Sequence, residues 1–94
     1  MLAITQATYI KDYQLEIVFS DGRKGVSDLS DSLDKGMFRP LRDPALFSQF
    51  RIDPELDTVV WSGGQDLAPE FLYFKTFQND PALHDQFVQW GYLP

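Results

Sequence analysis

Alternation of apolar and polar side chains is sharpest between residues 13 and 19, where Tyr13, Leu15, Ile17 and Phe19 fall on one face and Gln14, Glu16 and Val18 on the other. A period of two is the signature of a half-buried strand. Asp21-Gly22 supplies positive-φ residues for a tight turn, and a second strand over about Lys24 to Leu29 is predicted to pair antiparallel with the first. The register of this hairpin stays open. A two-residue loop sets Ile17 opposite Val26 and Leu15 opposite Asp28, whereas one further loop residue sets Leu15 opposite Leu29. The run from Ala3 to Ile10, rich in threonine, isoleucine and tyrosine, favours a third strand, with Lys11-Asp12 as its turn into a meander.

Beyond Leu29 the period changes. Ser30 is placed to cap a short helical turn through Lys35 that Gly36 ends in left-handed conformation, after which Met37 and Phe38 re-enter the core. Asp43-Pro44 predicts a helix start, because the carboxylate accepts from free N–H groups and proline lacks only an N–H that would be unpaired. The helix runs to about Gln49, with Leu46, Phe47 and Phe50 facing inward. A brief strand at Arg51 to Asp53, a turn through Asp57 and a β-branched strand at Thr58 to Trp61 make a second hairpin. Pro69 opens a helix to about Phe77, and Asp80-Pro81 opens another to about Trp90. On the latter, Leu83, Phe87 and Trp90 form a stripe that fits the domain's own sheet better than a partner helix.

These elements predict one α+β domain over residues 1–94: an antiparallel sheet of about four to five short strands, in two hairpins, packed with three short helices. Residues 1–77 form its core and 78–94 an appended amphipathic helix. At 94 residues with eight phenylalanines, four tyrosines and two tryptophans, the chain has apolar area enough for one aromatic-rich core. It has no cysteine, which excludes disulfides, thiolate zinc sites and cysteine nucleophiles. Neither a secretory signal nor a run of about 20 apolar residues is present, so a cytoplasmic protein without membrane attachment is expected.

Charge is unevenly spread. The net charge is −6; residues 1–51 hold seven acidic and seven basic side chains, and 52–94 hold seven acidic ones against Lys75. Nucleic-acid binding rests on lysine and arginine neutralising phosphates, so the balance leads to an expectation of no nucleic-acid partner. Arg23, Lys24, Arg39, Arg42 and Arg51 read as scattered surface charges.

The inventory for chemistry is thin. His84 is the lone histidine, which rules out a multi-histidine metal site. Ser62 beside two glycines does not make the Gly-x-Ser-x-Gly elbow. Gly63-Gly64 before a helix is a weak phosphate loop, because Asp66 and Glu70 put negative charge where the anion would sit. A structural role explains the same residues better: glycines for the turn, Asp66 as a helix cap, Glu70 at the positive dipole end. Asp28, Asp31 and Asp34 lack the alternate spacing of a calcium loop and read as a solvated acidic face. No catalytic residue, metal or cofactor is expected. The one pocket grammar on offer is an aromatic wall with convergent polar groups: Trp61, Asp66 and Glu70, with Arg39 or Arg42, as a ligand- or partner-binding rim.

Three blocks carry a resemblance. Leu15 to Gly22, Phe38 to Phe47, and Val59-Val60-Trp61 through Asp66-Leu67-Ala68-Pro69-Glu70 resemble the bacterial domain-of-unknown-function family 2442 over about residues 2–74. The resemblance implies a small α+β fold and no established activity. Some relatives resemble regulators in which a helix-turn-helix follows this domain, and others resemble toxin-antitoxin-like partners. Only about 20 residues follow the shared region here, room for one helix, so DNA binding is not carried over. The expectation is a non-enzymatic protein-binding or regulatory module, antidote-like, that acts on a protein partner through its sheet edge or acidic C-terminal half, with homo-oligomer formation as a further option. The alternatives are a small-ligand or enzymatic pocket at Trp61/Asp66/Glu70 and an accessory domain of a transcription regulator without its DNA-binding segment.

Overall fold

A computed structural model describes residues 1–94. It is an α+β fold of five antiparallel strands, but the strands divide between two sheets. β1 (Ile4–Tyr9), β2 (Gln14–Phe19) and β3 (Lys24–Asp28) form a meander in that order; β4 (Phe50–Asp53) and β5 (Thr58–Trp61) form the second hairpin. The helices are α1 (Pro44–Phe47), α2 (Pro69–Phe77) and α3 (His84–Gln89), joined by 3-10 helices at Ser30–Ser32, Gly36–Arg42 and Pro81–Leu83.

The inward face of β2 is the one that alternation predicts, with Leu15, Ile17 and Phe19 buried. Tyr13 does not belong to the strand; it sits in the turn at φ 65°, after Asp12 at φ 51°. Neither expected hairpin register occurs. Leu15 pairs with Ser27, Ile17 with Gly25 and Glu16 with Val26, and the Phe19 N–H donates to the Arg23 carbonyl, so the loop has three residues. Gly25 and Ser27 thereby face inward and Val26 faces solvent.

The reason lies in α2, which packs over β3 so closely that a Cβ on Gly25 would sit 2.6 Å from Thr76 Cγ2 and 3.1 Å from Phe77 Cε1. Only a strand presenting its smallest residues inward admits the helix at that distance.

Other expectations shift for local reasons. The Ser30 segment is capped by no side chain; the Asp28 carboxylate accepts from the Ser30 N–H instead, at 3.0 Å. Gly36 (φ 60°) opens the next 3-10 helix, in which the threefold repeat puts Phe38 and Leu41 on one side and Met37 and Pro40 on another. Leu41 is buried, whereas Met37 is exposed. In α1 the Asp43 carboxylate caps as predicted, accepting from Ala45 N–H at 3.0 Å, and Phe47 is buried, but Leu46 is exposed. The Asp80 carboxylate caps the last helical segment through Ala82 N–H in the same way.

One cluster joins both sheets and the helices. It holds Leu15, Ile17 and Phe19 with Leu33, Leu41, Phe47, Trp61, Leu72, Tyr73 and Phe87, with Leu83 and Trp90 packed against it. The α3 stripe therefore packs on the chain's own core. Aromatic edges organise the cluster: Phe19 meets Tyr73 at 4.9 Å and Phe74 meets Phe87 at 5.2 Å, both close to perpendicular. No helix is long and apolar enough to cross a membrane.

Candidate functional site

The largest concavity, about 360 Å³, lies where two distant segments meet: Met37, Pro40 and Leu41 of the 3-10 helix with Leu46 of α1 form one side, and Ser62, Gly63 and Gln65 the other. Backbone rules build the second side. The Gly64 N–H donates to the Trp61 carbonyl at 3.0 Å, with Gly64 at φ 89°, a conformation that suits glycine. Gly63 is needed for a different reason. Its missing Cβ would lie 2.7 Å from Gln65 Oε1 and 2.9 Å from Nε2, so the glutamine amide fills the space a side chain would take.

Gln65 ties the two sides together. Its side chain is almost fully buried, Nε2 donates to the Met37 carbonyl at 2.7 Å, and Oε1 has no hydrogen-bond partner. Its backbone carbonyl accepts from Trp61 N–H at 2.9 Å, extending β5 into the loop. The groove is thus a fixed channel with a buried leucine floor and exposed apolar walls, Met37 at 54% and Leu46 at 41%. Its lining carries one hydroxyl, one amide and no ionisable group. Such a surface can seat an apolar side chain; it offers no proton donor-acceptor pair.

The 3-10 helix that supplies one wall of the groove also carries a basic ridge. Arg39 and Arg42 share the third face of the 3-10 helix, and Lys35 precedes it. Arg42 is engaged: it pairs with Asp34, and that bond raises its pKa, while its guanidinium lies 5.4 Å from the Tyr13 ring centre. The Tyr13 hydroxyl donates to the Arg42 carbonyl. Lys35 and Arg39 have no carboxylate within ion-pair distance, unlike Arg23, Arg42, Arg51 and Lys75.

The five residues expected to make a rim are dispersed. Trp61 is buried, its indole N–H donating to the Phe47 carbonyl at 2.7 Å. Asp66 is exposed and bridges Val60 through its backbone; it does not cap α2, whose N-cap is Ala68 with no side-chain bond. The correction has a simple cause, since two further residues, Leu67 and Ala68, separate Asp66 from the helix start at Pro69. Glu70 lies towards Tyr92, whose hydroxyl is pushed up by burial and by the Glu70 charge. None of the five lines a cavity. Met37, Pro40, Leu46 and Gln65 are what sequence reasoning missed; no local signal marks them, because the segments that carry them come together only in the fold.

A second, smaller concavity of about 210 Å³ is lined by Leu2, Asp21, Tyr73, Leu83, Gln86 and Trp90. The Tyr73 hydroxyl donates to Asp21 Oδ2 at 2.6 Å. Burial and the hydrogen bond to the carboxylate push the tyrosine up to about 12. Burial alone would raise Asp21, but hydrogen bonds from Tyr73 and the Arg23 N–H, with the Arg23 charge, outweigh it and hold the carboxyl below its ordinary value.

Comparison with known proteins places these features. The model of the family described as "Protein of unknown function (DUF2442)" matches residues 4–78. No curated protein matches. A solved structure, that of a "Putative DNA Binding Protein" from Nitrosomonas europaea, is similar with a TM-score of 0.75 at 18% identity, covering 100% of this chain and 63% of that one. This chain thus spans less than two thirds of that neighbour's length.

The likeness corrects the expectation of no nucleic-acid partner, because a protein of the same fold carries a name for DNA binding. Net charge is a sum over a whole chain, whereas phosphate binding depends on where a few cations stand. An acidic total was the wrong ground for the exclusion.

Proposed function

Since this chain belongs to the DUF2442 family, whose function is unknown, we propose that it is a non-enzymatic binding module of a regulatory system, one half of an antidote-like or regulator-like pair. The groove between Met37, Pro40, Leu46 and Gln65 is its docking surface. Its occupant is a segment of a partner protein that carries an apolar anchor flanked by acidic residues. The observation behind this reading is the exposure of Met37 and Leu46 beside Lys35 and Arg39, the two cations there with no carboxylate partner. Flexible thioether and leucine walls suit an apolar anchor, and the free cations suit acidic flanks.

Selection of displayed peptides on the full chain tests it. Peptides with an apolar residue next to Asp or Glu should be enriched, and Met37→Ser with Leu46→Ser should weaken them by about tenfold or more, in line with about 1.4 kcal/mol per decade, without lowering the melting temperature. Failure to enrich any such peptide, or binding indifferent to the two substitutions, sinks the reading.

A second reading takes its support from the named DNA binding of the structural neighbour. Here the same ridge, Lys35 and Arg39, meets phosphate. Affinity for duplex DNA should then fall steeply with salt, and Arg39→Glu should reduce the slope by about one unit per lost phosphate contact. Absence of binding at low salt rejects it for this chain.

A further inference from the structure

The two edges of the three-stranded sheet differ. On the β1 side, the Ile4 N–H donates to the Asp57 carbonyl in the turn that joins β4 to β5, and Ala7 and Tyr9 pack against the core. On the β3 side α2 packs over the inward face, and no group bonds the edge. The Phe19 N–H donates to the Arg23 carbonyl and the Leu29 N–H to the Tyr13 carbonyl, which fixes the ladder phase: Gly25 and Ser27 bond inward to β2. The N–H and C=O groups of Lys24, Val26 and Asp28 therefore point outward, and none has a backbone partner. All three side chains are exposed, Val26 at 44%.

This edge is complementary to itself. Set antiparallel about a twofold axis through Val26, Lys24 stands opposite Asp28 of a second copy and Asp28 opposite its Lys24, with the two valines facing each other. The outward-pointing backbone groups are those of the same three residues, so every facing pair can exchange hydrogen bonds. A slip of two residues in either direction sets Lys24 or Asp28 against Val26 and loses the charge match. Natural proteins commonly blunt a free edge with charged side chains or proline; here the two charges are opposite and symmetrically placed, so they match those of a second copy. The β4 edge offers no equal, because Arg51 is already paired with Asp53 at 3.4 Å and Pro54 follows without an N–H.

We propose that a second copy of this chain docks on the free β3 edge, so that the two three-stranded sheets become one six-stranded antiparallel sheet held by paired Lys24–Asp28 contacts. The inference is independent of the groove. Three residue pairs bury little area, so the dimer is a weak one, with a dissociation constant in the range of about 1 μM to 1 mM.

Sedimentation equilibrium on the full chain reads it directly. The apparent mass should climb from 10.8 kDa towards twice that with concentration. Lys24→Asp places like charges at both ends of the pairing and should raise the dissociation constant about tenfold or more. Adding Asp28→Lys to Lys24→Asp exchanges the charges and should recover the dimer. Val26→Pro removes the central outward N–H and should also weaken it. Met37→Ser and Leu46→Ser should leave it unchanged, which separates this outcome from that of the groove. A chain that stays monomeric throughout overturns the proposal, as does a dimer indifferent to Lys24→Asp or one not restored by the exchange. A different protein bound at the edge of a chain that is monomeric by itself also overturns it.

Discussion

The Tyr73 hydroxyl of α2 donates to the Asp21 carboxylate at the tip of the β2–β3 hairpin, at 2.6 Å, across 52 residues of sequence. Both partners are tuned by the contact. Asp21 lies below its ordinary 3.8 and Tyr73 is pushed up from 10.0 to about 12. The bond fastens the hairpin tip beneath the helix that covers β3.

That pairing predicts stability at both pH extremes. The folded-state pKa of Asp21 is lowered, so its contribution is present above the unfolded value and is lost as pH falls through the folded one. The folded-state pKa of Tyr73 is raised, so its contribution is complete below about 10 and is lost as pH rises towards about 12. Tyr73→Phe should lower unfolding free energy at neutral pH by about 1 to 2 kcal/mol and flatten the alkaline limb in a pH series of denaturant melts. An alkaline limb unchanged by the substitution would contradict the assignment.

Gly25→Ala should destabilise by about 1 to 3 kcal/mol, because the new methyl meets Thr76 Cγ2 at 2.6 Å. Thr76→Ser removes that methyl and keeps the hydroxyl bonded to the Leu72 carbonyl at 2.7 Å. Part of the loss should therefore return in the double variant, measured as a non-additive cycle.

Trp61→Phe leaves the buried Phe47 carbonyl without its donor and opens space in the core. A loss of about 2 to 4 kcal/mol is expected from the orphaned acceptor and the cavity together. Thermal unfolding checks it, and a loss near zero would mean that the indole is no core anchor.

Two aspartates should behave oppositely. Asp43→Ala removes a cap bonded to Ala45 N–H and should cost about 1 kcal/mol. Asp66→Ala should change stability by less than about 0.5 kcal/mol, since the side chain is exposed and bonds nothing. Equal losses in urea titrations would refute the capping difference.

Local chemistry made much of this protein legible from its residues alone. The period of two in Leu15-Ile17-Phe19, the aspartate-proline starts at Asp43 and Asp80, and the glycine turn after Trp61 depend on neighbours a few positions away, so the order of elements could be read directly. The second and third blocks of the family resemblance were legible too, though not their meeting at one groove.

What only tertiary structure decided depends on distance across the fold. Val26 has the better side chain for a core, yet Gly25 and Ser27 face inward because Thr76 and Phe77 of α2 lie within contact of Gly25. Met37 and Leu46 are apolar by composition and exposed by geometry, since the helical turns that bury Leu41 and Phe47 set them on another face. Gln65 is polar and buried because Gly63 leaves room for its amide to reach Met37. A sequence records each residue's preference; the choice among competing preferences falls to the packing of segments that are far apart along the chain.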